Sequence, residues 1–280
     1  MKKLLLATTA LAMSAGYAAA DVALSGDARM GIVYNGSLAR ELSFTSRARV
    51  TFTLSGETDG GLAFGGSFRA DNAVGASAGT AGSVFISGTF GRLTMGDTAG
   101  AAEFIVGDLA GVGLTGLGDL NNNFYISNNP AIFRPTARYD YTMDGLTVAL
   151  SVENPATALF AYSIGASYAM NGFSAGIGYE QIDGGDDHVI AFLGAEFEGI
   201  EGKVTYGESG GADQFGVSIT GSFDATTVTA FGRQDFVGDT HYGLGASYDL
   251  GGGASLVGGV VRNGSLGGFT TADFGLSFSF

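Results

Sequence analysis

The sequence predicts an all-β protein: a transmembrane 16-stranded antiparallel β-barrel with one long loop, the third on its rim, folded inward. Three observations predict it. Apolar and polar residues alternate with period two along most of the chain. Tight-turn signals recur between the alternating stretches. Proline, which cannot donate to a strand ladder, numbers only 3 of 280 residues.

The chain opens with Met1-Lys2-Lys3, a mostly apolar run from Leu4 to Met13, and Ala18-Ala19-Ala20 before Asp21. A basic start, a short apolar stretch and small residues at a cleavage point read as a secretory signal peptide over residues 1–20. Its removal takes Lys2 and Lys3 and no acid, so the formal charge goes from −14 to −16. Residues 21–280 form the barrel domain. Their lack of cysteine suits an oxidising compartment outside the cytoplasm.

Past Asp21 the alternation is sustained. Val22, Leu24, Ala28, Met30 and Ile32 share one face, and Ser25, Asp27, Arg29 and Gly31 the other. Leu42, Phe44, Ala48, Val50 and Phe52 alternate with Ser43, Thr45, Arg47, Arg49 and Thr51. At the C-terminus Phe274, Leu276, Phe278 and Phe280 alternate with Asp273, Gly275, Ser277 and Ser279. Short turns are expected at Gly56–Gly61, Gly91–Arg92, Met143–Gly145, Met170–Gly172, Glu198–Gly199, Asp224–Ala225 and Gly251–Gly253. From the third onward they recur about every 27 residues, the length of two strands and a longer connection. Longer polar loops are expected between them, at Asn35–Arg40, Asp71–Gly82, Glu153–Thr157, Asp183–Asp187, Glu208–Asp213, Asp235–Asp239 and Arg262–Gly268. An eighth, at about 98–133, carries roughly 26 surplus residues. Seven turns and eight loops join sixteen strands. An even strand number, with short turns on one rim and longer loops on the other, is the pattern of a bacterial outer-membrane barrel.

Alternation alone does not say whether the apolar face meets a protein core or lipid. Two features favour lipid. The polar phase carries Asp27, Arg29, Arg47, Arg49, Arg69, Arg138, Asp140, Glu180, Glu196, Lys203 and Asp249, which a water-filled lumen tolerates. Nine tyrosines, among them Tyr34, Tyr139, Tyr162, Tyr206 and Tyr242, share the apolar phase, many near strand ends, as an interfacial girdle requires. A soluble sandwich has no reason to phase its tyrosines.

The long loop holds Glu103, Asp108 and Asp119 among Phe104, Ile105, Val106, Leu109, Leu114 and Leu117. That apolar content does not suit a solvated loop. Packing on the inner barrel wall buries it; a lid or a subunit contact is the alternative. Arg29, Arg47, Arg49 and Arg69 fall in the polar phase of the first three strands, and Arg134 and Arg138 follow the loop in the same phase. Six of the basic residues are thus expected inside the barrel.

The chain resembles the general diffusion porins of Gram-negative bacteria, in particular the Rhodobacter type from the alpha-proteobacteria. The segments that carry the resemblance are LSGDARMGIVYNG (24–36), SRARVTFTLSG (46–56), FGGSFRADNAVGA (64–76), FISGTFGRLTMGD (85–97), YGLGASYDLGGGASLVGG (242–259) and ADFGLSFSF (272–280). The resemblance implies a trimer of sixteen-stranded barrels in the outer membrane. Each would pass ions and small hydrophilic solutes by passive diffusion, selected by size and charge. It implies that loop 3 narrows the pore, its Glu103, Asp108 and Asp119 facing a basic wall of Arg29, Arg47, Arg49 and Arg69, joined by Arg134 and Arg138. It also makes the terminal Phe280 an assembly signal. Expected partners are a second and third copy of the chain, outer-membrane lipid and lipopolysaccharide, and the solutes. The outer loops are shorter than in relatives.

Composition and motif scans narrow the rest. A nucleic-acid partner is not expected of a chain this acidic. Gly75–Gly79 fits a nucleophile-elbow pattern and Gly111–Gly116 a dinucleotide pattern, but neither sits in a strand–turn–helix unit. His188 and His241 have no metal-ligand spacing, and a solvated lumen position is expected for His241. No enzyme activity and no cofactor is expected; Ca²⁺ held by acidic loop residues such as Asp183, Asp186 and Asp187 is the weaker alternative to a solvated rim. The rival functions are a substrate-specific channel of the same fold, which a lumenal row of aromatics such as Phe85, Phe192 and Phe231 would favour, and a secreted adhesin or surface-layer protein.

Overall fold

The structure, a computed structural model, describes residues 20–73, 82–128, 135–154 and 160–280. The expected signal peptide, apart from Ala20, and Arg134 lie outside these residues. Sixteen strands run through them: β1 (Asp21–Asn35), β2 (Leu42–Glu57), β3 (Ala63–Ala73), β4 (Ser83–Gly88), β5 (Gly91–Gly96), β6 (Thr136–Met143), β7 (Leu146–Val152), β8 (Ala161–Met170), β9 (Phe173–Ile182), β10 (His188–Phe197), β11 (Ile200–Ser209), β12 (Ala212–Phe223), β13 (Thr226–Gln234), β14 (Thr240–Gly251), β15 (Ala254–Asn263) and β16 (Phe269–Ser279). Each pairs antiparallel with its neighbours in sequence, and β1 pairs with β16, so the sheet closes. Closure removes the edges that would otherwise expose unpaired backbone in lipid. A short α-helix, α1 (Ala101–Val106), and a 3-10 turn at Ile126–Asn128 lie in the β5–β6 connection.

The apolar phase of every wall points outward. Phe44 is 92% exposed, Leu193 62% and Phe274 54%. Tyr162, Tyr168, Tyr206, Tyr242 and Tyr248 are exposed with them. The buried apolar residues belong largely to the β5–β6 loop and the wall it covers: Ala101, Ala102, Ile105, Val106, Leu109, Val112, Leu114, Leu117 and Tyr125, with Ala149, Ile190, Phe231 and Val261. The core is therefore inside the barrel, between loop and wall. A soluble sandwich would have placed it between two sheets. Among the described residues no helix is long and apolar enough to cross a membrane.

The connections depart from expectation in two places. The turn expected at Gly91–Arg92 lies at Thr89–Phe90. Gly91, at φ 105°, instead opens β5 opposite Gly88. The loop expected at Glu208–Asp213 is a two-residue turn at Gly210–Gly211. Both glycines have positive φ, 58° and 81°, as the tightest hairpin turn requires. Glu208 and Asp213, expected in the loop for their polarity, extend the ladder as a directly opposed pair. The outer connections Asp183–Asp187 and Asp235–Asp239 fall between strands as expected. Among the described residues no three His, Cys, Asp or Glu side chains come together to hold a metal ion.

Candidate functional site

The β5–β6 loop folds into the lumen, and small or hydroxylated wall residues receive it. Helix α1 packs on β7, β8, β9 and β10. It sits close because β9 offers Gly178 there: a Cβ on that residue would lie 2.6 Å from the Ala102 Cβ. A helix leaves its own first N–H groups without intrahelical acceptors, and the wall supplies them. Ala101 N–H donates to Ser151 Oγ at 2.9 Å and Ser163 Oγ at 2.7 Å. At the other end Lys203 donates to the carbonyls of Val106 and, at 2.8 Å, of Asp108.

Beyond α1 the loop crosses to the far wall. Ala110 N–H donates to Ser218 Oγ at 3.1 Å. Val112 and Leu117 pack with Phe231 and Val261. The apex is tied to β16, where Asp273 accepts the N–H of Leu114 at 2.9 Å and that of Thr115 at 2.6 Å. Arg29, on β1, donates to the Leu114 carbonyl at 3.3 Å. The return limb then runs back along the wall. Gln214 bonds both the N–H and the carbonyl of Phe124, and Glu180 accepts Ile126 N–H at 2.8 Å.

Of the expected loop acids, Asp108 is half-buried and accepts Asn123 N–H at 2.8 Å, bracing outgoing limb against return limb. Burial pushes its carboxyl above the usual carboxylate range, against the pull of that hydrogen bond and of the Lys203 and Arg233 charges. Glu103 lies on α1, where it accepts the Ser127 hydroxyl at 3.4 Å. Asp119 is exposed, at φ 52° in the turn before the return limb.

Of the expected basic residues, Arg29 and Arg138 meet the loop. Arg138 is buried at its base, donating to Thr98 Oγ1 and the Ala99 carbonyl, both at 3.0 Å, and stacking 3.8 Å above the Phe104 ring. Phe104, alone of the six apolar loop residues expected to be buried, is 41% exposed, with one ring face covered by that guanidinium. Arg47, Arg49 and Arg69 lie on the wall of β2 and β3. Arg47 pairs with Asp27 at 2.8 Å, Arg49 with Asp71 at 3.2 Å, and Arg69 reaches Asp71 through two nitrogens. Arg29 and Arg47 stand directly opposite across the β1–β2 ladder, a like-charge pairing that costs stability. Four arginines share this patch with two carboxylates that pair with them, Asp27 and Asp71, while Asp273 is occupied by the loop.

Sequence reasoning did not single out the receiving residues: Ser151, Ser163, Glu180, His188, Lys203, Gln214 and Asp273. Lumen parity was their only signal, and many other residues share it. His241 is 2% exposed rather than solvated; Asp235 and the Gly264 N–H engage its two nitrogens. Phe85, Phe192 and Phe231 do point inward, but each is taken by a neighbour. Arg92 covers Phe85, Lys203 lies over Phe192, and Val112 packs on Phe231.

The family model described as "Gram-negative porin" matches residues 7–268. A porin of Rhodobacter capsulatus is 37% identical over 93% of this chain and all of its own length. A porin of Fuscovulum blasticum is 28% identical with the same coverage. Among solved structures, a porin refined at 1.8 Å resolution superposes with a TM-score of 0.81 at 33% identity, over 93% of this chain and all of the other. A triple mutant of Rhodopseudomonas blastica porin, 23% identical, shares the fold with a TM-score of 0.78 over 92% of this chain and all of its own.

Proposed function

We propose, from the premise that this chain belongs to the Gram-negative porin family and forms an outer-membrane channel, that its pore is gauged at the in-folded loop. The observation that carries this reading is the run of hydrogen bonds from Ala101 to Ile126 onto lumenal side chains, which holds the loop inside the barrel at defined points. The free cross-section then lies between the loop and the β2–β3 wall. Ions and small hydrophilic solutes pass there by diffusion, sieved by that width and biased by Arg47, Arg49 and Arg69 on one side and Glu103 and Asp119 on the other. No bond-making chemistry is part of this function.

Three copies assemble by their outer faces. Small outward residues on the first strands, Ala28, Ala48 and Ala70, support close approach there. Electrophoresis without heating should show a band near three times the monomer mass, and a monomer in every mild detergent would refute assembly. The constriction is tested by replacing residues 99–127 with a short linker. The loop supplies no rungs of the barrel ladder, so the variant should fold and conduct more. Equal conductance from an intact barrel would mean that the loop does not set the width.

A further inference from the structure

Three buried side chains from three strands hold the return limb of the loop. His188 on β10, Glu180 on β9 and Gln214 on β12 are 0%, 1% and 1% exposed. The Gln214 amide meets the Phe124 backbone twice: its oxygen accepts Phe124 N–H at 2.9 Å, and its nitrogen donates to the Phe124 carbonyl at 3.1 Å. This double pairing decides which way the amide points. Reversed, it would set donor against donor and acceptor against acceptor. The Gln214 nitrogen is therefore also the donor toward His188 Nε2, 3.1 Å away. A ring nitrogen facing a donor must accept, so the single ring proton sits on Nδ1 and is donated to Glu180 Oε2 at 2.9 Å. The same carboxylate oxygen takes Ile126 N–H.

We infer that Glu180, His188 and Gln214 form a proton-sensitive clasp that positions residues 124–126 of the constriction loop; its effect on conductance rests on the constriction reading above. A second proton on His188 must go to Nε2, where it points at the Gln214 NH₂ group. To accept it the amide must turn. Turning sets its NH₂ against the Phe124 N–H and its oxygen against the Phe124 carbonyl, so both bonds to the loop are lost. A charged His188 and a held Phe124 exclude each other. The groups facing the ring are the Glu180 carboxylate, the Gln214 amide, and the rings of Phe124, Tyr125 and Phe236, edge-on with centroids 5.9, 6.2 and 5.6 Å away. Tyr125 remains a neutral phenol because burial drives its ionisation further up.

The chain has two histidines, and they provide an internal control. His241 accepts Gly264 N–H at Nδ1 and so carries its proton on Nε2, the opposite tautomer. The test is ¹⁵N-histidine NMR of the full-length protein in detergent, with hydrogen exchange of residues 120–128 and single-channel conductance, from about pH 7 to about pH 4. At the upper pH His188 should be protonated at Nδ1 alone. As it gains the second proton, exchange at Phe124 and Ile126 should rise at least about tenfold over the same interval. In Gln214→Glu one carboxylate oxygen accepts Phe124 N–H and the other the imidazolium, at the cost of the bond to the Phe124 carbonyl, so His188 should stay doubly protonated at about pH 7 and the exchange step should vanish. An Nε2-protonated ring at about pH 7, a ring neutral down to about pH 4, or unchanged exchange once it is charged would each overturn the clasp. An exchange step with flat conductance upholds the clasp and refutes the constriction reading instead.

Discussion

Asp273 takes both the backbone N–H and the hydroxyl of Thr115, at 2.6 and 2.7 Å, so one carboxylate on the last strand anchors the apex of a loop that leaves the barrel between β5 and β6. With Leu114 N–H as a third donor, this one side chain accepts three of the hydrogen bonds at the apex. Asp273→Ala leaves those donors without their acceptor, at a cost of about 1–3 kcal/mol borne by the loop. Conductance should rise and grow noisier while heat stability of the barrel stays the same. A quiet, wild-type trace would mean that the remaining contacts hold the apex alone.

Gly178 gives a prediction of opposite sign. Any side chain there meets Ala102 Cβ at 2.6 Å and its Cα at 2.7 Å. Gly178→Val should therefore push α1 away from the wall and into the lumen, with an overpacking cost of about 1–3 kcal/mol. Single-channel recordings should show a smaller conductance from a folded barrel. An increase would place α1 outside the narrow path.

Charge selectivity follows from the unequal patch on β1–β3. Neutralising Arg47, Arg49 and Arg69 removes positive charge that Asp27 and Asp71 only partly offset, and should strengthen cation preference. Neutralising Glu103 and Asp119 should weaken it. Both effects should fade as salt rises, because screening shortens to about 3 Å at 1 M. Reversal potentials under a KCl gradient decide the matter, and no change in either variant would remove these residues from the path. Asp108 is left out of the set, because its bond to Asn123 makes its loss a change of loop shape.

Phe280 closes the barrel seam. Its N–H donates to the Gly26 carbonyl at 2.9 Å and its carbonyl accepts Gly26 N–H at 3.2 Å. Deleting it removes two ladder bonds, each worth roughly 0.5–1.5 kcal/mol, and one outward ring worth about 1.5–3 kcal/mol. A barrel of this size should survive that loss. Outer-membrane levels should fall well before the melting temperature does, which immunoblotting of membrane fractions and heat-shift gels measure separately. A large loss of heat stability with normal levels would make Phe280 a structural rather than an assembly residue.

The period-two pattern by itself determined the strand number, the turn side, the outward tyrosines and the inward arginines. It could do so because a closed antiparallel barrel leaves each side chain two choices, lipid or lumen, and alternation assigns them residue by residue. Apolar content alone likewise placed Ile105, Val106, Leu109, Leu114 and Leu117 of the loop against protein. The pattern misjudged Glu208 and Asp213, whose polarity suggested a loop. Two glycines able to adopt positive φ let the hairpin close between them instead. Which lumenal residues receive the loop was decided only by the tertiary structure. Ser151, Glu180, Gln214 and Asp273 look in sequence like any other inward polar residue. Their roles depend on where a chain segment tens of residues away crosses the lumen, as Leu114 reaches Asp273 across 159 positions. Parity says that a side chain faces the interior; the path of the loop through that interior decides what it meets there.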